Sequence, residues 1–229
     1  MFQAVIFDMD GVLTDSESLG LAVVGRTARE MGADIPPEAI KQTLGIPYAA
    51  SIAMFEGLYP GLDAKALFAR AGQTLLAMGR AGKVPLKPGV RALLDTLDAL
   101  GIPRAVASSS GENAIRIYLE GSGIYDRLDR IVCGNECARS KPAPDIFLLA
   151  ARKLSVKPGD CLVIEDSPSG LRAGRAAGMT VCMVPDLIPF DESLRPYCDL
   201  VFPSLDALNG RLREEAARNG TEGGPARHG

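Results

Sequence analysis

The sequence AVIFDMDGVLTD occupies residues 4–15 and decides the fold. Its first four residues are apolar, which is typical of a strand buried on both faces of a parallel sheet. Asp8 and Asp10 follow the strand in a loop that begins with an Asp-Met-Asp-Gly turn. Because they are two residues apart, their carboxylates can converge on one metal ion or one phosphate group. Taken alone, the same pattern is explained equally well by an ordinary Asp-Gly turn.

Further along the chain, short apolar runs alternate with helical patterns. The strand-like runs lie at residues 105–107, 130–133, 161–164 and 180–184, and the helical patterns at residues 89–100, 113–120, 143–154 and 169–177. This alternation predicts βαβ units and therefore a doubly wound parallel sheet of the α/β class. Ligands of such sheets bind at the carboxyl ends of the strands, so functional residues are expected there.

Residues 15–84 interrupt the alternation, because they contain helical patterns and no convincing strand. We therefore predict a core domain formed by residues 1–14 and 85–229, and an inserted all-helical cap domain at residues 15–84 over the strand ends. The cap is expected to open and close about hinges near residues 15–18 and 82–87. The polar, glycine-rich residues 211–229 are expected to form a mobile tail with at most its first turn helical.

Three further polar clusters follow predicted strands. Ser108-Ser109-Ser110-Gly111 offers hydroxyl and N–H groups that bind phosphate at a helix start, and Ser140-Lys141-Pro142 offers a cation in a stiff loop. Glu165-Asp166 offers two hard oxygen ligands that suit Mg²⁺. Each cluster alone has a simpler explanation, as a helix cap or a surface lysine. Their joint occurrence at strand ends favours a phosphoryl-transfer site.

Composition argues against several other functions. The formal net charge of −3 argues against a general nucleic-acid binder, which needs a basic surface. The single histidine, His228, lies in the predicted tail, so a Ser-His-Asp or Cys-His mechanism is not expected. Any general acid or base is therefore predicted to be a carboxylate.

The cellular location is predicted from what the sequence lacks. The five cysteines form no CxxC pair, which is typical of reduced thiols in a cytosolic protein. The first residues do not resemble a signal peptide, and no window approaches the roughly 18 apolar residues of a membrane helix. We expect a cytoplasmic monomer that binds neither membranes nor nucleic acid.

The four clusters together resemble the four motifs of the haloacid dehalogenase superfamily, from Asp8 to about Val184. Within it, the sequence is most similar to the branch that contains β-phosphoglucomutase and many sugar-phosphate phosphatases. The resemblance implies a Rossmann-like core with a helical cap. It also implies a Mg²⁺-dependent phosphatase that acts on a small phosphorylated metabolite through an aspartyl-phosphate intermediate.

The same resemblance assigns roles to individual residues. Asp8 is expected to be the nucleophile and a metal ligand, and Asp10 the acid/base whose backbone carbonyl contacts the metal. Asp166 is expected to ligate Mg²⁺, and Glu165 to do so directly or through water. The phosphate-binding residues that the resemblance implies are Ser108, Lys141 and the backbone N–H groups of Met9 and Ser109.

Three other functions are weighed against the phosphatase. A phosphomutase is disfavoured because Gly20, Tyr48 and Gly111 stand where β-phosphoglucomutase has a histidine, an arginine and a lysine. A dehalogenase needs neither a metal nor the second aspartate, so Asp10 argues against it. A non-catalytic binding protein on the same fold receives no support, because no core motif residue is replaced, but it remains an alternative.

The cap is expected to select the substrate. The candidate specificity residues are Ser16, Glu17, Gly20, Ile46, Tyr48, Arg70 and Arg80. An arginine would bind a second charged group of the substrate, and a tyrosine would stack on a sugar or a base. The sequence leaves open a sugar phosphate, a nucleoside monophosphate or a short acid such as phosphoglycolate.

Overall fold

The computed structural model of the protein describes residues 2–46 and 48–222. In these residues six strands form one parallel sheet in the order β3-β2-β1-β4-β5-β6. The strand order reverses at β1, and such a reversal is where open α/β sheets bind ligands. The predicted doubly wound fold is confirmed. The strands are β1 (Ala4–Phe7), β2 (Arg104–Ser108), β3 (Arg130–Cys133), β4 (Cys161–Glu165), β5 (Thr180–Met183) and β6 (Leu200–Val201).

Five of the strands agree with predicted apolar runs to within one residue at each end. The sixth, β6, is absent from the predicted set because two residues carry no periodic pattern. Every residue of β1, β2 and β4 is buried, as expected for strands covered on both faces.

Four helices are inserted after β1. They are α1 (Ser16–Glu30), α2 (Pro37–Lys41), α3 (Tyr48–Leu58) and α4 (Ala64–Arg80). They enclose a hydrophobic core of their own, in which the rings of Phe55 and Phe68 meet edge to face with centroids 5.1 Å apart. A helical insertion is what the sequence predicts for residues 15–84, and its division from the sheet as a separate domain stays a proposal.

The two chain segments that connect this insertion to the sheet are paired with each other. The backbone N–H of Asp15 donates to the carbonyl of Pro85 at 2.8 Å, and that of Lys87 donates to the carbonyl of Leu13 at 3.0 Å. The pairing joins the two predicted hinge segments side by side. Movement about these hinges stays a prediction.

Five more helices cover the sheet in the described residues. They are α5 (Val90–Leu100), α6 (Glu112–Gly121), α7 (Asp145–Leu154), α8 (Pro168–Ala176) and α9 (Leu205–Glu222). Residues of α5, α6 and α9 share one hydrophobic cluster with Val5 and Phe7 of β1, while residues of α7 and α8 share another with Ala4 and Ile6. Alternate residues of the central strand therefore anchor the two helical layers.

Helix α9 corrects the predicted tail. Residues 211–222 continue this helix for well over one turn, so the expectation that at most the first turn is helical is wrong. The mobility of the segment stays a prediction. Leu205, Leu208 and Leu212 are buried at helical spacing and pack into the cluster that contains α5. This apolar stripe packs the helix onto the core, but most residues of the segment are polar, so the stripe is hard to recognise in the sequence. Residues 223–229 lie outside the described part of the chain.

Two further sequence expectations concern the whole chain. The five cysteines form no disulfide with one another in the structure. Across residues 2–46 and 48–222, none of the helices has the length and apolar character required to span a bilayer.

Candidate active site

The predicted catalytic clusters meet at the carboxyl ends of β1, β2 and β4. A cavity of about 630 Å³ opens there between the sheet and the inserted helices. The described residues that line it are Asp8, Asp10, Glu17, Thr43, Leu44, Gly45, Ile46, Tyr48, Ser108, Ser109, Ser110, Gly111, Ser140, Lys141, Asp166, Ser167 and Ser169. The structure thus brings one side chain or more from all four sequence clusters to one cavity.

Asp8 and Lys141 form the buried ion pair of this cavity. The Lys141 Nζ lies 2.5 Å from Asp8 Oδ1 and 2.7 Å from Glu165 Oε1, and it also donates to the carbonyl of Ala107 at 3.2 Å. Burial lowers the pKa of Lys141, but the charges of Asp8 and Glu165 raise it by more. The lysine therefore remains a cation between two acids.

The Asp8 carboxyl is held between opposing influences. Burial is the largest and raises its pKa to about 7, while the Lys141 charge lowers it and the charges of Glu165 and Asp10 raise it. Asp8 is 8% exposed, so water does little to stabilise its charge. A cation placed against its free oxygen would favour the ionised, nucleophilic form.

Glu165 is engaged mainly by protein groups. Its Oε2 accepts from the N–H groups of Asp166 and Ser167, both at 2.9 Å, and from the Ser167 hydroxyl at 3.0 Å. Its Oε1 accepts from Lys141. A Cβ on Gly170, the third residue of α8, would lie 1.6 Å from that oxygen, so glycine is needed to make room. These contacts make Glu165 an anchor for Lys141, and its predicted contact with a metal stays a prediction.

Asp10 is surrounded by hydroxyl groups. Its Oδ1 accepts from Ser16, and its Oδ2 accepts from Ser110 at 2.9 Å and from Ser108 at 3.3 Å. The Ser108 hydroxyl also accepts from the N–H of Ser110 at 3.1 Å. Ser16 does not line the cavity among the described residues, and it reaches the site only through Asp10. The three serines fix the direction of the Asp10 carboxylate.

The carboxylates of Glu17, Asp166 and Asp186 approach one another. One oxygen from each lies within 4.8 Å of the other two. Burial, followed by the charges of Glu165 and Asp8, raises the pKa of Asp166 well above its ordinary value. Burial, followed by the charges of Asp10 and Asp8, raises the pKa of Glu17 to about 8. The cluster is therefore an accumulation of negative charge that a cation would stabilise.

The donor atoms and the packing of this cluster suit Mg²⁺. Its donors are the hard carboxylate oxygens that Mg²⁺ prefers. A Cβ on Gly11 would lie 2.2 Å from Asp166 Oδ2, so a glycine keeps space open beside that oxygen. Asp186 Oδ2 is buried and has no hydrogen-bond partner in the described residues. The residues present fit a divalent cation.

Other predicted residues fall into two groups. Glu17, Ile46, Tyr48 and Ser109 line the cavity. Gly20, Arg70 and Arg80 are not among the described lining residues, and a Cβ on Gly20 would first meet Leu75 of α4 at 3.9 Å. The side chain of Met9 is buried in the core, so its predicted phosphate contact rests on its backbone N–H.

Sequence reasoning missed Asp186 and Thr43. Asp186 follows the apolar run of β5, so its position after a strand end was a usable signal. Thr43, in the turn after α2, carries no such signal, because its place at the cavity depends on how the inserted helices pack.

Comparison with known proteins supports the geometry. A family profile described as haloacid dehalogenase-like hydrolase matches residues 2–178. A Drosophila melanogaster protein named "Probable pseudouridine-5'-phosphatase" is 36% identical over 190 residues, which are 79% of this chain and 80% of that protein. The phosphorylated carbohydrates phosphatase of Thermotoga maritima is 29% identical over 177 residues, covering 77% of this chain and 82% of the relative.

A solved structure shares the fold over nearly the whole chain. The β-phosphoglucomutase of Clostridium difficile superposes with a TM-score of 0.74 at 25% identity, and the match covers 96% of this chain and 99% of that one. The similarity to this branch, inferred from the four motifs, is confirmed.

Proposed function

The chain belongs to the haloacid dehalogenase-like hydrolase family, and its relatives include phosphatases. We propose that it is a Mg²⁺-dependent phosphatase that hydrolyses a small phosphorylated metabolite through an aspartyl-phosphate intermediate on Asp8. The observation that carries the proposal is the Asp8 carboxylate, which lines the cavity at the end of β1 with Lys141 2.5 Å away.

In the first step, an Asp8 oxygen attacks the phosphorus and the bond to the leaving oxygen breaks. Asp10 gives its proton to that oxygen, which departs as an alcohol. Lys141 faces the phosphoryl group and offsets its negative charge. The hydroxyl groups of Ser108 and Ser110 keep the Asp10 carboxyl directed into the cavity.

In the second step, Asp10 accepts a proton from water as the water oxygen attacks the phosphorus. The bond between phosphorus and Asp8 breaks, inorganic phosphate forms, and both aspartates return to their starting states. When bound, Mg²⁺ would be held by Asp8, the Asp10 carbonyl and Asp166, and would supply positive charge that lowers the repulsion between Asp8 and the phosphate.

The charges of the cavity favour a substrate whose only anionic group is the reacting phosphate. Among the described residues that line the cavity, Lys141 is the single basic side chain, and it already contacts Asp8 and Glu165. Glu17 adds a carboxylate on the side of the inserted helices. A second phosphate or a carboxylate on the substrate would find no further cation there, whereas hydroxyl groups could form hydrogen bonds with Glu17. We propose a sugar phosphate or a similar monoester with a neutral, hydroxylated leaving group.

A phosphomutase is the second candidate, because a β-phosphoglucomutase shares the fold. Gly20, Tyr48 and Gly111 still argue against it. A mutase would retain phosphate on the substrate, so it would convert a sugar phosphate into an isomer without releasing inorganic phosphate.

The test is phosphate release from a panel of phosphorylated metabolites, first with Mg²⁺ and then with EDTA. The panel contains sugar phosphates and nucleoside monophosphates beside bisphosphates and phosphoglycolate. We expect Mg²⁺-dependent release from the first set. Asp8→Asn is expected to abolish release while its melting temperature shows an intact fold, and full activity in that variant would overturn the mechanism. Release from no compound by the folded wild type would favour the mutase.

A further inference from the structure

Asp186 occupies a position that the proposed reaction does not use. It follows β5, the neighbour of β4, so it lies at the same edge of the sheet as Asp166. Its side chain is 9% exposed. Its Oδ1 accepts from the Lys87 ammonium at 2.5 Å, whereas its Oδ2 is buried without a partner in the described residues. Buried carboxylate oxygens normally accept a hydrogen bond or bind a cation, so the bare Asp186 Oδ2 is unusual.

The unpartnered oxygen faces Asp166 across Gly11. A Cβ built on Gly11 would stand 3.2 Å from Asp186 Oδ2 and 2.2 Å from Asp166 Oδ2. Both oxygens therefore border the small space that the missing side chain leaves. Glu17 brings a third carboxylate oxygen to within 4.8 Å of these two residues.

The balance of charge in this space suits a divalent cation. Three carboxylates meet there, and the Lys87 ammonium offsets one of their charges. Lys87 also lies 3.4 Å from Asp15 Oδ1, so its charge is shared with a fourth acid. One ammonium cannot neutralise three ionised carboxylates, and carboxylates this close repel one another unless a cation separates them.

We propose that Asp186 is part of the divalent-cation site and directs its Oδ2 at the ion or at a water bound to it. The inference rests on the Mg²⁺ dependence in the proposed function. Oxygens on opposite sides of Mg²⁺ are about 4.2 Å apart, because each lies at about 2.1 Å. The 4.8 Å limit on the cluster accommodates contact through a bound water, and Mg²⁺ usually keeps several.

A purely structural role is the competing explanation, since Asp186 could serve only to pair with Lys87. Asp15 provides a matched control, because it contacts the same ammonium but is not part of the three-carboxylate cluster. Asp186→Asn and Asp15→Asn each remove one of the two negative charges that lie beside the Lys87 ammonium. Only the first removes a carboxylate from the proposed site.

The experiment measures metal binding without substrate, so that it does not depend on turnover. Mn²⁺ is titrated into the full chain and free Mn²⁺ is followed by electron paramagnetic resonance, with Mg²⁺ competition to report the natural ion. We expect Asp186→Asn to weaken binding by about 10- to 100-fold, as loss of groups around a metal site does. Asp15→Asn is expected to bind as the wild type does.

Lys87→Met is expected to change metal affinity in the opposite direction. It keeps the inference testable if Asp186→Asn does not fold. It removes the competing cation, so metal binding should become tighter. Wild-type affinity in folded Asp186→Asn, or no gain in Lys87→Met, would overturn the inference and leave the phosphatase proposal intact. Failure of the wild type to bind Mn²⁺ would instead overturn both this inference and the Mg²⁺ dependence.

Discussion

Asp10 carries out the proton transfers in the proposed reaction, and the neighbouring hydroxyl groups orient its carboxyl group. An amide at this position keeps the size and most hydrogen bonds of the carboxylate but neither gives nor takes the required proton. Asp10→Asn is therefore expected to lower kcat by about 10²- to 10⁴-fold. Single-turnover phosphate release measures the effect. Ser110→Ala, which removes one donor at 2.9 Å, is the control and should cost far less. An unchanged rate in Asp10→Asn would reassign the role.

Glu17 should make the metal-free protein less stable as pH rises. Burial, with the charges of Asp10 and Asp8, raises its folded pKa to about 8 from an ordinary value of 4.5. Below about pH 4.5 both states are protonated, and between the two pKa values only the unfolded state releases the proton. Stability is therefore lost through that window and stays lost above it.

Removal of the Glu17 charge tests the predicted loss of stability with rising pH. Glu17→Gln in EDTA should melt higher than the wild type at about pH 9 and like the wild type at about pH 5. Differential scanning calorimetry gives the comparison. Glu30→Gln changes an exposed glutamate of the same helix and should show no such dependence. A pH-independent difference in Glu17→Gln would contradict the pKa shift.

Single residues differ in how far the sequence reveals them. Asp8, Asp10 and Lys141 could be predicted because each belongs to a local pattern beside a strand or a helix start. Asp186 follows β5 in the same way, so its position indicates a site residue, but its contacts with Lys87 and with Asp166 join segments that are distant in the chain. Contacts between distant segments leave no periodic trace in one sequence. Arg70 and Arg80 are predicted from their charge, and charge alone does not locate a side chain.

Helices α4 and α6 approach closely through two glycines. A Cβ on Gly121 would lie 2.1 Å from the carbonyl oxygen of Gly79, and a Cβ on Gly79 would lie 2.7 Å from Ile117 and Tyr118. The contact joins the insertion to the helix that follows the serine cluster of the cavity. Any added side chain must push the two backbones apart.

This contact gives a prediction at the scale of the element. Gly121→Ala should lower the free energy of unfolding by about 1–3 kcal/mol, as overpacking does. It should also lower activity, since α6 begins beside Ser108–Gly111. Urea unfolding and phosphate release measure both. Gly72→Ala, on α4 with no atom within 4 Å of the added Cβ, is the control and should be neutral or stabilising. Equal stability of the two variants would contradict the close contact.

Elements were predictable where a repeated pattern was long enough. The strands of the sheet centre and the helices of the insertion have clear apolar periodicity. Helix α9 shows the limit, because three leucines at helical spacing are outweighed by polar and glycine residues around them. The buried contacts of that helix extend as far as Leu212, in the cluster that contains α5.

At the scale of the whole molecule, Mg²⁺ should stabilise the folded state, because the unfolded chain scatters the acidic cluster. At a hundredfold excess over Kd, binding adds about 2.7 kcal/mol, or roughly 5–10 °C in the melting temperature for a chain of this size. Thermal melts with Mg²⁺ and with EDTA test this. Ca²⁺ at equal concentration controls for ion size, and K⁺ at equal ionic strength controls for screening. Identical melts with Mg²⁺ and EDTA would argue against a site in the free protein.

The central position of β1 has a consequence for folding during translation. β1 pairs with β2 through Val5 and Arg104 and with β4 through Ala4 and Cys161. At about 5–20 residues per second, roughly ten to thirty seconds of translation separate β1 from its second partner. The inserted helices have their partners nearby and can fold on the ribosome. The apolar first strand remains an unpaired edge during that time, open to chaperones and to neighbouring nascent chains.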